Sequence, residues 1–229
     1  MPAIIPVVQR IIPPRVSHGV TARNSSGRFS TNLILQSETF QTTWSLVNIR
    51  AFGAGSVLNA TANPITGAAT AEQIIEDTTL GQHRIVSGNV SGLSASTPYF
   101  ASIFAKPDTR TKIGVFFIDS SGTDGCLALF NLSTRQLIST SPSGAGALVA
   151  TSITAYPNGF LRVGVCATMN NSRTIGSMRV LLVNASDAVS YTGDNTSGLY
   201  IWGAMLSQGT QLPPYVGPTL TTALTQEEA

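Results

Sequence analysis

The stretch GFLRVGVCATM, residues 159–169, constrains the fold more than any other part of the chain. Leu161, Val163, Val165, Ala167 and Met169 fall on one side of a period-two pattern; Arg162, Gly164, Cys166 and Thr168 fall on the other. Alternation of this length suits a β-strand and not a helix, whose apolar positions recur every three or four residues. The Leu/Val face fits the core of a β-sandwich. Segments 44–49, 54–60, 70–76, 83–90, 98–106, 111–119, 125–132, 135–140, 147–155, 177–184 and 198–206 read the same way, as alternating or short apolar runs. They are separated by turn sequences: SSGTDG at 120–125, SPSGAG at 141–146, YPNG at 156–159 and TGDNTSG at 192–198. Helical periodicity is nearly absent. Its best candidate, AATAEQIIED at 68–77, places Ile74 and Ile75 side by side, against the pattern. About twelve short strands between such turns predict an all-β fold: a two-sheet antiparallel β-sandwich of jelly-roll type, with an extended N-terminal arm.

The arm is residues 1–31. Pro2, Pro6, Pro13 and Pro14 exclude a helix and favour extended backbone. Ile4, Ile5, Val7, Val8, Ile11 and Ile12 cannot bury themselves within one ribbon, so they must pack on the body or on another chain. Residues 1–37 contain Arg10, Arg15, Arg23 and Arg28 and no acid, whereas the 13 basic and 11 acidic residues of the whole chain otherwise nearly balance. A basic head on a neutral body predicts contact with an acidic protein surface. Nucleic acid is not expected, because the arginines are diluted by Ile, Val and Pro without interleaved aromatic residues. The start lacks the order of a signal peptide and its proline-free stretches are too short to span a membrane. It therefore predicts a protein kept in a cytoplasm until assembly. Residues 32–219 form the expected sandwich and 220–229 a polar tail.

Only 10% of residues are charged, against about 25% in ordinary soluble domains. A Ser/Thr/Gly-rich, weakly charged surface suits dense assembly better than a free enzyme. Catalysis needs titratable groups set together. There are two histidines, His18 in the arm and His83 beside Arg84, and no GxSxG elbow. Paired carboxylates would have to come from Glu38, Glu72, Glu76, Asp77, Asp108, Asp119, Asp124, Asp187 and Asp194. Glu72, Glu76 and Asp77 form the one cluster, read as a solvated face. Calcium ligands would be Asp119 and Asp124 in one loop and Asp194 and Asn195 in another, without EF-hand spacing. Cys126 and Cys166 lie in strand-like runs, as buried thiols or as a bridge between adjacent strands, with no zinc spacing. Neither an enzyme nor a cofactor is expected. A sugar platform would draw on Tyr99, Tyr156, Tyr191 and Tyr215.

Four segments carry a family resemblance: NLILQSETFQTTW (32–44), PYFASIFAK (98–106), YPNGFLRVGV (156–165) and YTGDNTSGLYIWGAMLSQGTQLPPYVGPT (191–219). Together they resemble a domain common in phage tail-fibre, head-fibre and capsid-decoration proteins, itself similar to concanavalin-like jelly rolls of carbohydrate-binding modules. The resemblance spans about residues 32–219 and leaves the arm and tail uncovered. It implies a virion protein. Met205 and Ser207 stand where the pattern often has Gln and Glu, which weighs against sugar binding. Trp44 and Trp202 are expected as core residues near the two ends of the domain, side by side if first and last strands pair. The functional expectation is a structural capsid-decoration (cement) protein, a trimer. It would grip the major capsid protein or another virion subunit through Ile4, Ile5, Val7, Val8, Arg10, Ile11, Ile12, Arg15, Arg23 and Arg28. The alternative is a tail-fibre or baseplate receptor-binding module that recognises host surface glycans. A cellular lectin would carry a signal peptide.

Overall fold

A computed structural model describes Ala22–Arg23, Phe29–Ser30 and residues 31–170 and 172–217. The arm residues Ile4, Ile5, Val7, Val8, Arg10, Ile11, Ile12, Arg15 and Arg28, with His18 and the tail 220–229, lie outside the described residues. Arg23 falls in a two-residue strand.

The strands are β1 (Ala22–Arg23), β2 (Phe29–Ser30), β3 (Ser45–Val47), β4 (Val57–Ala62), β5 (Ala69–Ile75), β6 (Leu80–Gln82), β7 (Arg84–Val86), β8 (Val90–Ser91), β9 (Tyr99–Pro107), β10 (Lys112–Asp119), β11 (Gly125–Asn131), β12 (Gln136–Ser143), β13 (Ala147–Ala155), β14 (Leu161–Thr168), β15 (Ile175–Val183), β16 (Ser190–Thr192) and β17 (Gly198–Gln208). Every pairing between them is antiparallel. One sheet runs β12-β11-β10-β15-β7-β3, with β8 also on β15; the other runs β13-β14-β9-β17-β5-β4. This is the two-sheet antiparallel sandwich expected from the alternation. The segment weighed as a helix at 68–77 is β5, because its apolar Ile74 faces the core while Gln73 faces out.

The core lies between the sheets. From β14 come Leu161, Val163, Val165 and Ala167; from β9, Ala101, Ile103 and Ala105; from β10, Ile113, Val115 and Phe117; from β15, Met178, Val180 and Leu182. All are buried, so the period-two pattern is the core pattern. At roughly 1.5–3 kcal/mol per large apolar side chain, this interior supplies the main stabilisation of the body.

Trp44 and Trp202 are both buried. The first strand of the sandwich, β3, pairs with β7, not with β17. Residues 32–37 run beside β17 instead. Leu33 donates to the Leu206 carbonyl at 2.9 Å, and Ala204 donates to that of Ser37 at 2.8 Å. The Asn32 side chain donates to the carbonyls of Ala204 (2.9 Å) and Val216 (3.0 Å), tying the entry of the domain to its exit.

Cys126 and Cys166 are free and buried. A bridge is excluded by the topology: Cys126 points from β11 into the core, whereas Cys166 points from β14 to the far side of the other sheet, its Sγ 3.3 Å from the Gly209 carbonyl. Burial pushes the Cys166 thiol up to about 11.

Candidate functional site

The outer face of the six-stranded sheet is built in rows by strand register. Tyr200 of β17 stands opposite Lys106 of β9 and opposite Gln73 of β5. Directly opposite residues in an antiparallel pair share a face and touch. The next row is Trp202, Phe104 and Arg162.

That second row is closed by the chain itself. Tyr215 packs on Trp202 (ring centroids 5.0 Å) and on Phe104 (5.3 Å), and Tyr156 packs edge-on to Phe104 (4.8 Å). Arg162 is buried among them with no carboxylate in ion-pair distance among the described residues. Its guanidinium lies 5.4 Å from the Phe104 ring centre and 5.8 Å from that of Tyr215. It donates to the Pro213 carbonyl at 2.6 Å and the Ser102 hydroxyl at 3.1 Å. Burial lowers its pKa. Gly203, with φ of +59°, makes the bulge in β17 that permits this packing; a Cβ there would sit 2.9 Å from Phe104. The face of β14 opposite the core is thus an interior in its own right.

The first row is open. Tyr200, Lys106 and Gln73 are half-buried, and the Gln73 amide donates to the Asp108 carboxylate at 2.7 Å. The Lys106 ammonium lies 5.4 Å from the Tyr200 ring centre and 5.9 Å from that of Phe160. Lys106 has no carboxylate within ion-pair distance among the described residues. Partial burial and the Asp108 charge push the Tyr200 phenol up. The row therefore holds an aromatic ring, an ammonium donor, an amide and a carboxylate acceptor within one surface strip. Such a set can stack on an apolar ring face while pairing with hydroxyl groups.

The four tyrosines expected as platforms do other work. Tyr99 is buried and accepts the Ser94 N–H at 2.8 Å. Tyr191 is buried and donates to Glu76 at 2.7 Å. Tyr215 donates to Glu38 at 2.9 Å and, with Tyr156, roofs the Trp202 row. Tyr200 was not expected to serve. Its signal in the sequence is only that it alternates with Leu199 and Ile201, which face inward.

Glu72 and Glu76 are buried, not a solvated face. The reason is strand geometry: positions 72, 74 and 76 share the inward side that Ile74 occupies. Glu76 accepts from Arg110 (2.9 and 2.5 Å), from Tyr191 (2.7 Å) and from the Asp194 N–H (3.1 Å). Glu72 has the Phe40 N–H at 3.3–3.4 Å, and burial pushes it up to about 7. His83 is fully buried; its Nδ1 lies 2.7 Å from the Asn48 carbonyl and its Nε2 3.1 Å from that of Tyr191. Both ring nitrogens serve the backbone, so the ring is a structural tie.

The loop once weighed for calcium is closed on itself. Asp119 accepts the N–H groups of Thr123 (2.7 Å) and Asp124 (2.9 Å) and the Ser121 hydroxyl, and Arg173 lies 3.2 Å away. Burial would raise Asp119, but these hydrogen bonds outweigh it and hold its carboxyl below the usual range. Asp194 caps its own turn through Ser197 and Thr196. Among the described residues, no group of three or more His, Cys, Asp or Glu side chains could hold a metal ion. No helix among them is long and apolar enough to cross a membrane.

These features define an antiparallel β-sandwich whose open polar and aromatic groups sit on a sheet face. No protein-family model matches the chain, and no curated protein matches it. Among solved structures it is similar to the enzymatically active domain of a bacteriophage CBA120 tailspike protein, at 12% identity and a TM-score of 0.42 over 78% of this chain and 21% of that one. It is also similar to a Clostridium thermocellum endo-1,4-beta-D-xylanase structure complexed with xylohexaose, at 10% identity and a TM-score of 0.40 over 76% and 28%. A third is a carbohydrate-binding module described for specific mannan recognition, at 12% identity and a TM-score of 0.39 over 79% and 96%. The chain spans about a fifth of the length of the first and under a third of the second. At these levels none of them lends this chain a role.

Proposed function

We propose that the chain is a non-enzymatic glycan-binding sandwich of a phage particle, of the tail-fibre or baseplate receptor-reading kind. The observation that carries the binding role is the open row Lys106–Tyr200–Gln73 with Asp108 beside it. Tyr200 offers a ring for the apolar side of a sugar, and its neighbours offer donors and acceptors for hydroxyl groups. The phage setting rests on the resemblance of segments 32–44 and 191–219 to virion domains. The test is a glycan array with the intact chain beside Tyr200→Ala and Lys106→Ala. Binding by the parent, lost in both variants while circular dichroism shows both folded, supports the reading. Binding that survives Tyr200→Ala removes the row as its site.

A second reading, capsid decoration through the arm 1–31, has one observation in its favour. A groove of about 530 Å³, lined by Leu33, Ile34, Leu35 and Val90 with uncharged polar residues, opens where the arm joins the body. Leu35 is 61% exposed there. Deleting residues 1–31 tests it: loss of incorporation into particles by a folded remnant favours attachment to the major capsid protein, and normal incorporation sinks it.

A further inference from the structure

We propose that Arg84 and Arg179 form a second binding site, on the outer face of the seven-stranded sheet, for the carboxylate of an acidic sugar. The two arginines belong to adjacent antiparallel strands. Arg84 of β7 stands opposite Leu181 of β15, and Arg179 of β15 stands opposite Val86 of β7. They therefore share a face as diagonal neighbours, with roughly 7–8 Å between them at the backbone.

Neither arginine has a carboxylate within ion-pair distance among the described residues. Arg84 donates to the Gln82 amide oxygen, and the Arg179 guanidinium lies 5.7 Å from the Phe116 ring centre. The Nε atoms of both are buried without a partner. Asp119, the acid whose charge reaches Arg179, is already occupied by Ser121, Thr123, Asp124 and Arg173. Three other cations are paired: Arg110 with Glu76 and Asp194, Arg173 with Asp119 and Asp124, and Lys112 with Asp187. Burial, and then the charge of Arg84, lower the Arg179 pKa. Two like charges held side by side are relieved by an anion between them.

Guanidinium forks pair with carboxylate oxygens two at a time, which gives such a site geometric selectivity. Phe116 and Val86, both half-buried and directly opposite Arg179, supply apolar contact for a ring carrying the acid. Gly122 keeps the approach open: a Cβ there would stand 3.3 Å from the Arg179 Nη2. The carboxylate specificity stands on these residues alone. The choice of a sugar as its carrier rests on the glycan-binding reading above.

The experiment is titration calorimetry on the full chain with three probes: a uronic-acid trisaccharide, its methyl-esterified counterpart and an Asp/Glu hexapeptide. Variants are Arg84→Gln, Arg179→Gln, Arg179→Lys and Tyr200→Ala, each checked for folding by circular dichroism. The expected result is that the acid trisaccharide binds while the ester and the peptide bind at least about tenfold more weakly. Each Gln variant, and Arg179→Lys less severely, weakens the acid by a similar factor, consistent with a charge-assisted bidentate pair. Tyr200→Ala leaves this binding unchanged. No binding of the acid trisaccharide, or binding indifferent to both Gln variants, overturns the site. Tighter binding of the peptide than of the sugar overturns the saccharide class. Loss of acid binding in Tyr200→Ala, with both Gln variants intact, assigns the sugar to the Tyr200 row and also overturns the proposal. Failure of the Tyr200 row alone shows instead as retained acid binding with no neutral glycan bound.

Discussion

Glu72, within β5, and Glu76, just after it, stand four residues apart, both inward and both buried, yet they differ in nearly every other respect. Glu76 is held by a bidentate arginine, a tyrosine hydroxyl and a backbone N–H. Its hydrogen bond and charge raise the pKa of Arg110, and burial followed by the bond to Glu76 raises that of Tyr191. Glu72 meets one backbone N–H at long range and no cation among the described residues, and burial pushes it up to about 7. A buried carboxylate costs several kcal/mol to desolvate unless partners replace the lost water. Glu76 has those partners and links β5, the start of β10, β16 and the 194–198 turn. Glu72 stays buried by remaining protonated over much of the pH range.

The largest expected effect lies at Glu76. Glu76→Ala leaves Arg110 with Asp194 at 3.6 Å and strands the Tyr191 hydroxyl, and should cost about 3–5 kcal/mol, as for removal of one partner of a buried ion pair. Glu76→Gln keeps an acceptor for Tyr191 and should cost less. Urea unfolding at pH 7 measures both. A Glu76→Ala midpoint within error of the parent would erase the difference between the two carboxylates.

Little of that difference was legible in the sequence. The strands were, because the alternation at 161–169 and 198–202 sorts side chains between the central core and the outer face, even where, as in β14, both faces are buried. β6 and β16 were not, since LGQ and SYT are too short to show a period. The Glu76 site draws on Arg110, Tyr191 and Asp194, which are separated by 34 to 118 positions along the chain. Nothing local announces such a meeting, and three acids in six residues read more simply as a wet surface. The open Tyr200 row was hidden for a related reason. Openness depends on where Tyr156 and Tyr215 fold back, and they cover Trp202 while stopping short of Tyr200.

The second effect, at Glu72, is a pH dependence. A folded-state value of about 7 lies above the ordinary carboxylate value near 4.5. The folded state therefore holds a proton that the unfolded state releases between these limits. Stability from this group is fully present below pH 4.5, falls as pH rises toward about 7, and stays lower above it. The shift corresponds to about 3 kcal/mol. Glu72→Gln should flatten the stability profile between pH 4.5 and 7.5 and leave the variant more stable than the parent at pH 8. A parent profile that rises across this interval would mean that Glu72 has a cation or a second donor as Glu76 does.

The smallest effect on stability is expected at Tyr200, and it is the most informative about function. Tyr200 stands opposite Gln73, whose neighbour Glu72 turns inward, so one strand presents a buried acid to the core and a half-buried amide to the outer face. Tyr200→Ala removes a half-buried ring that lies beside Lys106 and packs on the margin of the outer-face cluster of Ala71, Phe104, Phe160 and Trp202. Losing a ring that is only partly buried should cost about 1 kcal/mol. Thermal unfolding of Tyr200→Ala should therefore fall only a few degrees below the parent, while glycan binding is lost. A loss above about 2 kcal/mol would show instead that the ring acts mainly as packing for Trp202 and Phe104. The open row would then be no more than the margin of that outer-face cluster, and Arg84 and Arg179 would remain as the outward chemistry of the molecule.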